Sequence, residues 1–288
     1  MTVLVTGATG MFGAAVANAL CMDGVDVLAM TRSQSSAEKL TRARITGVVG
    51  DLDDPKSLEG LLERADRMFL VSPMHPMLGQ RESAAIKAAA DAGIKQIVKL
   101  YGSVRHKGDE LDDQHQIAIE TLKSSGVAWT LVSPQTVMET NLLGQIEGIK
   151  QERSMYGSAG NGRIGMVALC DCIEAASIVL QSNPEKWRSA NLEITGPAAL
   201  TYKEIAAEMS RALNETITYV DISEEEFSSM LIGFGFPKED LEIQVLCHFR
   251  QMRNGQADLV TDTFKKLTGK PATSIYDWMV KNIDLFDI

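Results

Sequence analysis

Short apolar runs alternate with amphipathic stretches through the first half of the chain. Residues 3–5, 25–30, 45–49, 68–71, 97–101 and 129–132 predict strands. These runs are mostly continuous rather than alternating, the pattern of strands covered on both faces. Between them, 11–22, 55–63, 80–92 and 114–124 carry the apolar spacing of amphipathic helices. Gly24, Gly93 and Gly126 each follow one of these helical runs, where a helix end turns to positive φ. The rhythm predicts an α/β fold built on a Rossmann-type doubly wound parallel sheet.

After about residue 136 the rhythm changes. A Gly-rich stretch at 157–165 predicts a loop or hairpin, 171–181 a helix, and 191–195 a strand that returns to the sheet. The remainder reads as mostly helical, over 202–213, 224–231, 238–252, 261–267 and 276–281. No Pro- or Ser-rich linker separates the two parts. The expected organisation is a sheet core over 1–135 and a smaller, mostly helical cap over 136–288 that is not an independent domain. The cleft between them is the default binding site.

Composition narrows the class. The 288 residues are 45% apolar and 23% charged, which excludes disorder, collagen-like repeats and a disulfide scaffold. With 28 Lys and Arg against 38 Asp and Glu, the formal charge is −10. A chain that acidic is poorly suited to gripping a nucleic-acid backbone directly. Cys21, Cys170, Cys172 and Cys247 lack zinc-type pairing, and His106 and His248 lack partner spacing, so no metal is assigned. Cys170 and Cys172 would share one face if they lay in a strand. The amino terminus lacks a signal-peptide pattern, and no apolar run approaches the ~20 residues that span a bilayer. The expected location is cytoplasmic, with reduced thiols and no membrane contact.

The strongest signal is TGATGMFG at 6–13, directly after the first strand and opening the first helix. In that context Gly7 permits a tight turn, Gly10 lets backbone approach a pyrophosphate, and Gly13 lets the helix pack on the sheet. The helix start offers N–H groups and a partial positive charge to phosphate. The end of the second strand, Thr31 and Arg32, carries no carboxylate. Arg32 suits a 2′-phosphate, which favours NADP(H) over NAD(H). After the third strand, Asp54 before Pro55 is placed to cap the next helix. Asp51 and Leu52 are candidates for adenine contact, a structural turn being the alternative.

These pieces together resemble the NmrA-like branch of the atypical short-chain dehydrogenase/reductases. The resemblance rests on TGATGMFG at 6–13, GDLD at 50–53, DAGIKQIV at 91–98, ETLKSSGVAWTLVSP at 120–134, LEITGP at 192–197 and LTGKP at 267–271. It implies an NADPH-dependent dye or quinone reductase, or a dinucleotide-binding regulator without chemistry. The expected cofactor contacts are Gly7, Thr9, Gly10, Met11, Phe12, Gly13, Thr31, Arg32, Asp51, Leu52, Val71, Ser72, Pro73 and Tyr101.

One departure matters. Reductases of the wider superfamily use a Tyr-x-x-x-Lys pair; aligned on Glu120, its positions fall on Asp112 and Gln116. Neither does that job, so ordinary alcohol–ketone chemistry through the pair is not expected. Hydride transfer to a quinone or dye needs mainly alignment and exclusion of water. Candidates for an acid are Tyr101 and His75, with Ser103 and His115 behind them, each weighed against a role as pocket wall. Phe227, Leu231, Phe234 and Phe236 read as core before they read as a lid. The leading expectation is an NADPH-dependent reductase of a small conjugated acceptor, such as a quinone, bound between sheet and cap. The alternative is a non-catalytic NADP(H) sensor acting through a protein partner; a homodimer is left open.

Overall fold

The structure, a computed structural model, describes residues 1–102 and 110–286. Its first half alternates as the apolar pattern requires: β1 (Thr2–Val5), α1 (Met11–Met22), β2 (Asp26–Thr31), α2 (Gln34–Leu40), β3 (Ile45–Val49), α3 (Glu59–Leu62), β4 (Arg67–Leu70), α4 (Leu78–Asp91), β5 (Gln96–Leu100), α5 (Glu110–Ser124) and β6 (Ala128–Pro134). The second half follows with α6 (Met138–Leu142), α7 (Ile146–Glu152), β7 (Ser154–Gly157), β8 (Arg163–Ile164), α8 (Leu169–Gln181) and β9 (Ala190–Ile194). It ends with β10 (Leu200–Thr201), α9 (Tyr202–Leu213), β11 (Thr218–Asp221), α10 (Glu224–Gly233), α11 (Cys247–Arg253), α12 (Thr263–Thr268) and α13 (Ile275–Lys281).

The main sheet has the order β3-β2-β1-β4-β5-β6-β9, and every pairing from β3 through β6 is parallel. This is the doubly wound Rossmann arrangement. The order reverses between β1 and β4, so the crevice at their carboxyl ends is the switch point where such sheets bind ligands. Val3, Leu4, Val5, Met68, Phe69 and Leu70 are fully buried, as strands covered on both faces must be. Gly24, Gly93 and Gly126 end their helices at φ of 81°, 78° and 76°.

Two compact units divide the chain. One holds Met1–Tyr101, Glu110–Ser133 and Cys172–Leu192; the other holds Pro134–Asp171 and Glu193–Ile288. The second unit has its own core, where Tyr202 stacks on Tyr219 and Phe249, with ring centroids 5.1 and 5.6 Å away. Phe227 is buried there, and Leu231 and Phe236 pack against it, whereas Phe234 is exposed.

Several local expectations are corrected. Of the two forms expected for 157–165, the loop is the one observed, joining β7 to β8; it is no hairpin, because β7 pairs in parallel with β11 and β8 antiparallel with β10. Cys170 and Cys172 lie at the start of α8, not in a strand, so one is exposed and the other buried. Asp54 stands at the start of a short 3₁₀ turn with Pro55 first, but its side chain makes no capping bond. Among the described residues, no helix is long and apolar enough to cross a membrane.

Candidate functional site

The glycine loop closes the switch point from the β1 side. Gly7 has φ +58°, a conformation that side chains rarely adopt, and a Cβ there would stand 3.1 Å from the Val71 carbonyl oxygen. A Cβ on Gly13 would fall 2.2 Å from the Gly7 carbonyl oxygen, so only glycine lets α1 start against the loop. Gly10 differs. It is exposed, its φ is −89°, and a Cβ would meet only the Gly7 oxygen, at 3.3 Å. Its bare face is what a pyrophosphate needs in order to approach backbone.

The start of α1 fits the same ligand. No side chain caps it and no acidic residue stands in its first turn, so its terminal N–H groups and positive dipole end remain for an anion. Thr9 and Met11 are exposed beside it, and Phe12 is half-buried. Thr6 fixes the neighbouring strand ends: its Oγ1 donates to the Val71 carbonyl (2.7 Å) and accepts from the Val71 N–H (2.8 Å). The Ala8 N–H donates to Met30 and the Gly50 N–H to Thr31, which brings the ends of β1, β2 and β3 together.

Arg32 is exposed immediately beyond β2, and among the described residues no carboxylate pairs with it. Thr31 is buried. Asp51 uses Oδ1 to accept the Asp53 N–H at 3.0 Å, so it serves its own turn whatever else it contacts. Leu52 packs against the sheet core, and Asp53 forms a two-pronged bond to Arg81 of α4. Pro73 is exposed after β4. His75 Nδ1 accepts the Met77 N–H at 2.9 Å, bracing the turn that opens α4.

At the ends of β4 and β5 lies a polar network that the sequence pattern did not reveal. Lys99 and Glu82 are both buried and form an ion pair. The Ser72 hydroxyl donates to Glu82 Oε1 at 2.8 Å. Lys99 Nζ also lies 3.1 Å from the Leu100 carbonyl and 3.1 Å from His115 Nδ1. His115 is edge-on to Tyr101, with ring centroids 5.2 Å apart. The Tyr101 hydroxyl donates to Asp112 Oδ1 (2.8 Å), and Gln116 donates to both Tyr101 (3.3 Å) and Asp112 (3.2 Å). Thus the residues standing where the superfamily has Tyr and Lys hold a tyrosine from a different element. Ser103 and His106 lie outside the described residues. The available sequence signal was a lysine inside a continuous apolar strand run, which demands a buried partner.

In the second unit, the ends of the motifs at 192–197 and 267–271 share a groove. Pro197 and Pro271 line this open groove of about 680 Å³ together with Val260 and Phe264.

A parallel switch-point crevice with a bare glycine-rich helix start defines a dinucleotide-binding Rossmann protein. The NmrA-like family profile matches residues 1–259, and the chain belongs to that family. It is 29% identical over 282 residues to the NAD(P)H azoreductase of Xenophilus azovorans, covering 96% of each chain. It is 27% identical over 281 residues to quinone oxidoreductase 2 of Escherichia coli K12, covering 95% of this chain and 96% of that one. Its fold matches that of Citrobacter sp. triphenylmethane reductase, solved with NADP(H), at a TM-score of 0.87 and 22% identity over 98% of this chain and 99% of the other.

Proposed function

We propose that the protein is an NADPH-dependent reductase of small conjugated acceptors such as quinones or azo dyes. The observation that carries this reading is the uncapped start of α1 beside the bare face of Gly10. Gly7, Thr9, Gly10, Met11, Phe12 and Gly13 would hold the pyrophosphate. Thr31 and Arg32 would hold the adenosine ribose and its 2′-phosphate, and Asp51 and Leu52 the adenine. Val71, Ser72, Pro73 and Tyr101 would border the nicotinamide end. Bound NADPH would supply the hydride.

The acceptor class is supported by the end-to-end likeness to an azoreductase and a quinone oxidoreductase. Tyr101, with its phenol hydrogen on Asp112, is read as a fixed ring that walls the acceptor, and His75 as the brace of the turn before α4. Four free cysteines suit a reducing cytoplasm.

The test joins turnover and binding. The full chain should oxidise NADPH, followed at 340 nm, with quinones or azo dyes. Calorimetry should show NADPH binding more than about tenfold tighter than NADH at low salt, since an exposed charge-assisted contact contributes roughly 1.5–3 kcal/mol. Arg32→Ala should erase most of that gap by weakening NADPH alone, and added salt should narrow it. Tight binding without turnover across a broad acceptor panel would replace the enzyme by a dinucleotide sensor acting through a protein partner. Equal affinity of the parent for both cofactors would return NAD(H).

A further inference from the structure

Lys99 of strand β5 and Glu82 of helix α4 are charges buried against the largely apolar core of the sheet unit. Removing two ions from water costs several kcal/mol each, and a well-packed apolar pair commonly serves stability as well. The pair therefore asks for another purpose, and its hydrogen bonds suggest one.

An ammonium has three donors and no acceptor. Those of Lys99 face Glu82 Oε2, the Leu100 carbonyl and His115 Nδ1. While Lys99 carries its charge, His115 Nδ1 can only accept. The imidazole is then neutral, with its proton on Nε2. Glu82 is held in turn, because its second oxygen accepts the Ser72 hydroxyl. The chain Ser72–Glu82–Lys99–His115 thus runs from the second residue beyond β4 to a ring that touches Tyr101 just past β5. Asp112 and Gln116 of α5 complete the polar surroundings through Tyr101.

We propose that Glu82, Lys99 and His115 form a proton-supply chain for acceptors that must gain a proton after hydride transfer, an inference that rests on the reductase reading above. A quinone that takes a hydride becomes an oxyanion and needs one proton. His115 gives its Nε2 proton to that oxygen as Nδ1 takes one from Lys99. The imidazole stays neutral, having exchanged one tautomer for the other, and the buried Lys99 is left as a neutral amine; the cycle closes when Nε2 takes a proton from solvent and Nδ1 returns its own to Lys99. The balance is one NADPH, one quinone and one proton giving NADP⁺ and the hydroquinone. Glu82 is a positioning residue, holding the ammonium against His115.

A cationic triarylmethane dye provides the control. Hydride addition to its central carbon gives a neutral product and needs no proton. The full chain should be compared with His115→Gln and with Lys99→Met combined with Glu82→Gln, which leaves no buried charge alone. Menadione and crystal violet are the acceptors, at saturating NADPH. In both variants kcat for menadione should fall by at least about tenfold, as loss of a general acid requires, with crystal violet changed by less than about threefold. The solvent deuterium effect on menadione turnover should grow in both variants, and NADPH affinity should hold. A parallel fall with both acceptors, or no fall with menadione, would overturn the relay and leave the network a structural one. If the unaltered chain turns over neither acceptor, the reductase reading falls, and the relay with it.

Discussion

Gly10 and Gly13 stand three residues apart in one loop, yet they are glycine for different reasons. At Gly13 the constraint is internal, since any Cβ collides with backbone of the same loop. At Gly10 the conformation, φ −89° and ψ 170°, suits any residue, and a Cβ would meet one atom, the Gly7 carbonyl oxygen, at a close but not colliding 3.3 Å. Gly10→Val should therefore melt within about 1 kcal/mol of the parent, as surface changes usually do, while losing more than about tenfold in NADPH affinity. Gly13→Ala should cost about 1–3 kcal/mol by overpacking. Thermal melts and calorimetric titration separate the two. If Gly10→Val bound NADPH like the parent, the loop would not be the phosphate site. The glycines were legible in sequence because each answers a local backbone demand. The Lys99–Glu82 pair was not: Lys99 stands out inside an apolar strand run, but Glu82 looks like an ordinary surface charge until the fold brings strand β5 and helix α4 together.

Elements were legible in proportion to how much apolar pattern they carry. Helix α1 and helix α9 fall within the bounds that their apolar faces predict. Helix α2 was missed because its sequence, QSSAEKL, has almost no apolar period; it is held at its start by the Ser33 hydroxyl, which accepts the Ser36 N–H. Strands β7 and β11 were missed because their pairing is distant in sequence, which no local pattern reports. Helix α9 shows a start that local chemistry does specify. Thr201 Oγ1 accepts the Glu204 N–H at 3.2 Å, and the Glu204 carboxylate accepts the Thr201 N–H at 2.7 Å. Thr201→Ala should cost about 1 kcal/mol. The Thr201 N–H bond holds the Glu204 carboxyl below its ordinary value of 4.5. A carboxyl depressed in the folded state stabilises above its unfolded pKa, and that contribution is lost as pH falls through the lower folded value. Glu204→Gln should therefore lower the urea midpoint at pH 7, and the deficit should shrink toward pH 3. A deficit independent of pH would mean that the bond, not the charge, supplies the whole effect.

At the scale of the molecule, the sheet unit is not a single stretch of chain. Cys172–Leu192 belongs to it, although α6, α7, β7 and β8 intervene. Helix α8 brings Cys172, Ala175, Ala176, Val179 and Leu180 into burial. At its end, Arg67 Nη1 donates to the carbonyls of Leu180 (2.5 Å) and Ser182 (2.6 Å), and burial lowers the guanidinium pKa. At the end of α1, Asp23 accepts from Ser177 and Gln181 of α8. Strand β9 lies beside β6, which would otherwise be an open edge. The apolar burial supplied by α8 alone is on the order of 5–10 kcal/mol, which matches the roughly 5–15 kcal/mol of net stability that a domain has to lose. A fragment ending at residue 135 keeps the whole glycine loop and every strand from β1 to β6, so sequence order alone makes it look sufficient. It lacks α8 and β9, leaves two carbonyl acceptors of Arg67 behind and presents the flank of β6 to other chains. We expect that fragment to be aggregated or molten, without a cooperative urea transition and without calorimetric binding of NADPH, while the full chain shows both. A soluble 1–135 fragment with a cooperative transition and parental NADPH affinity would show that the returning segment is a lid on a finished domain rather than part of its core.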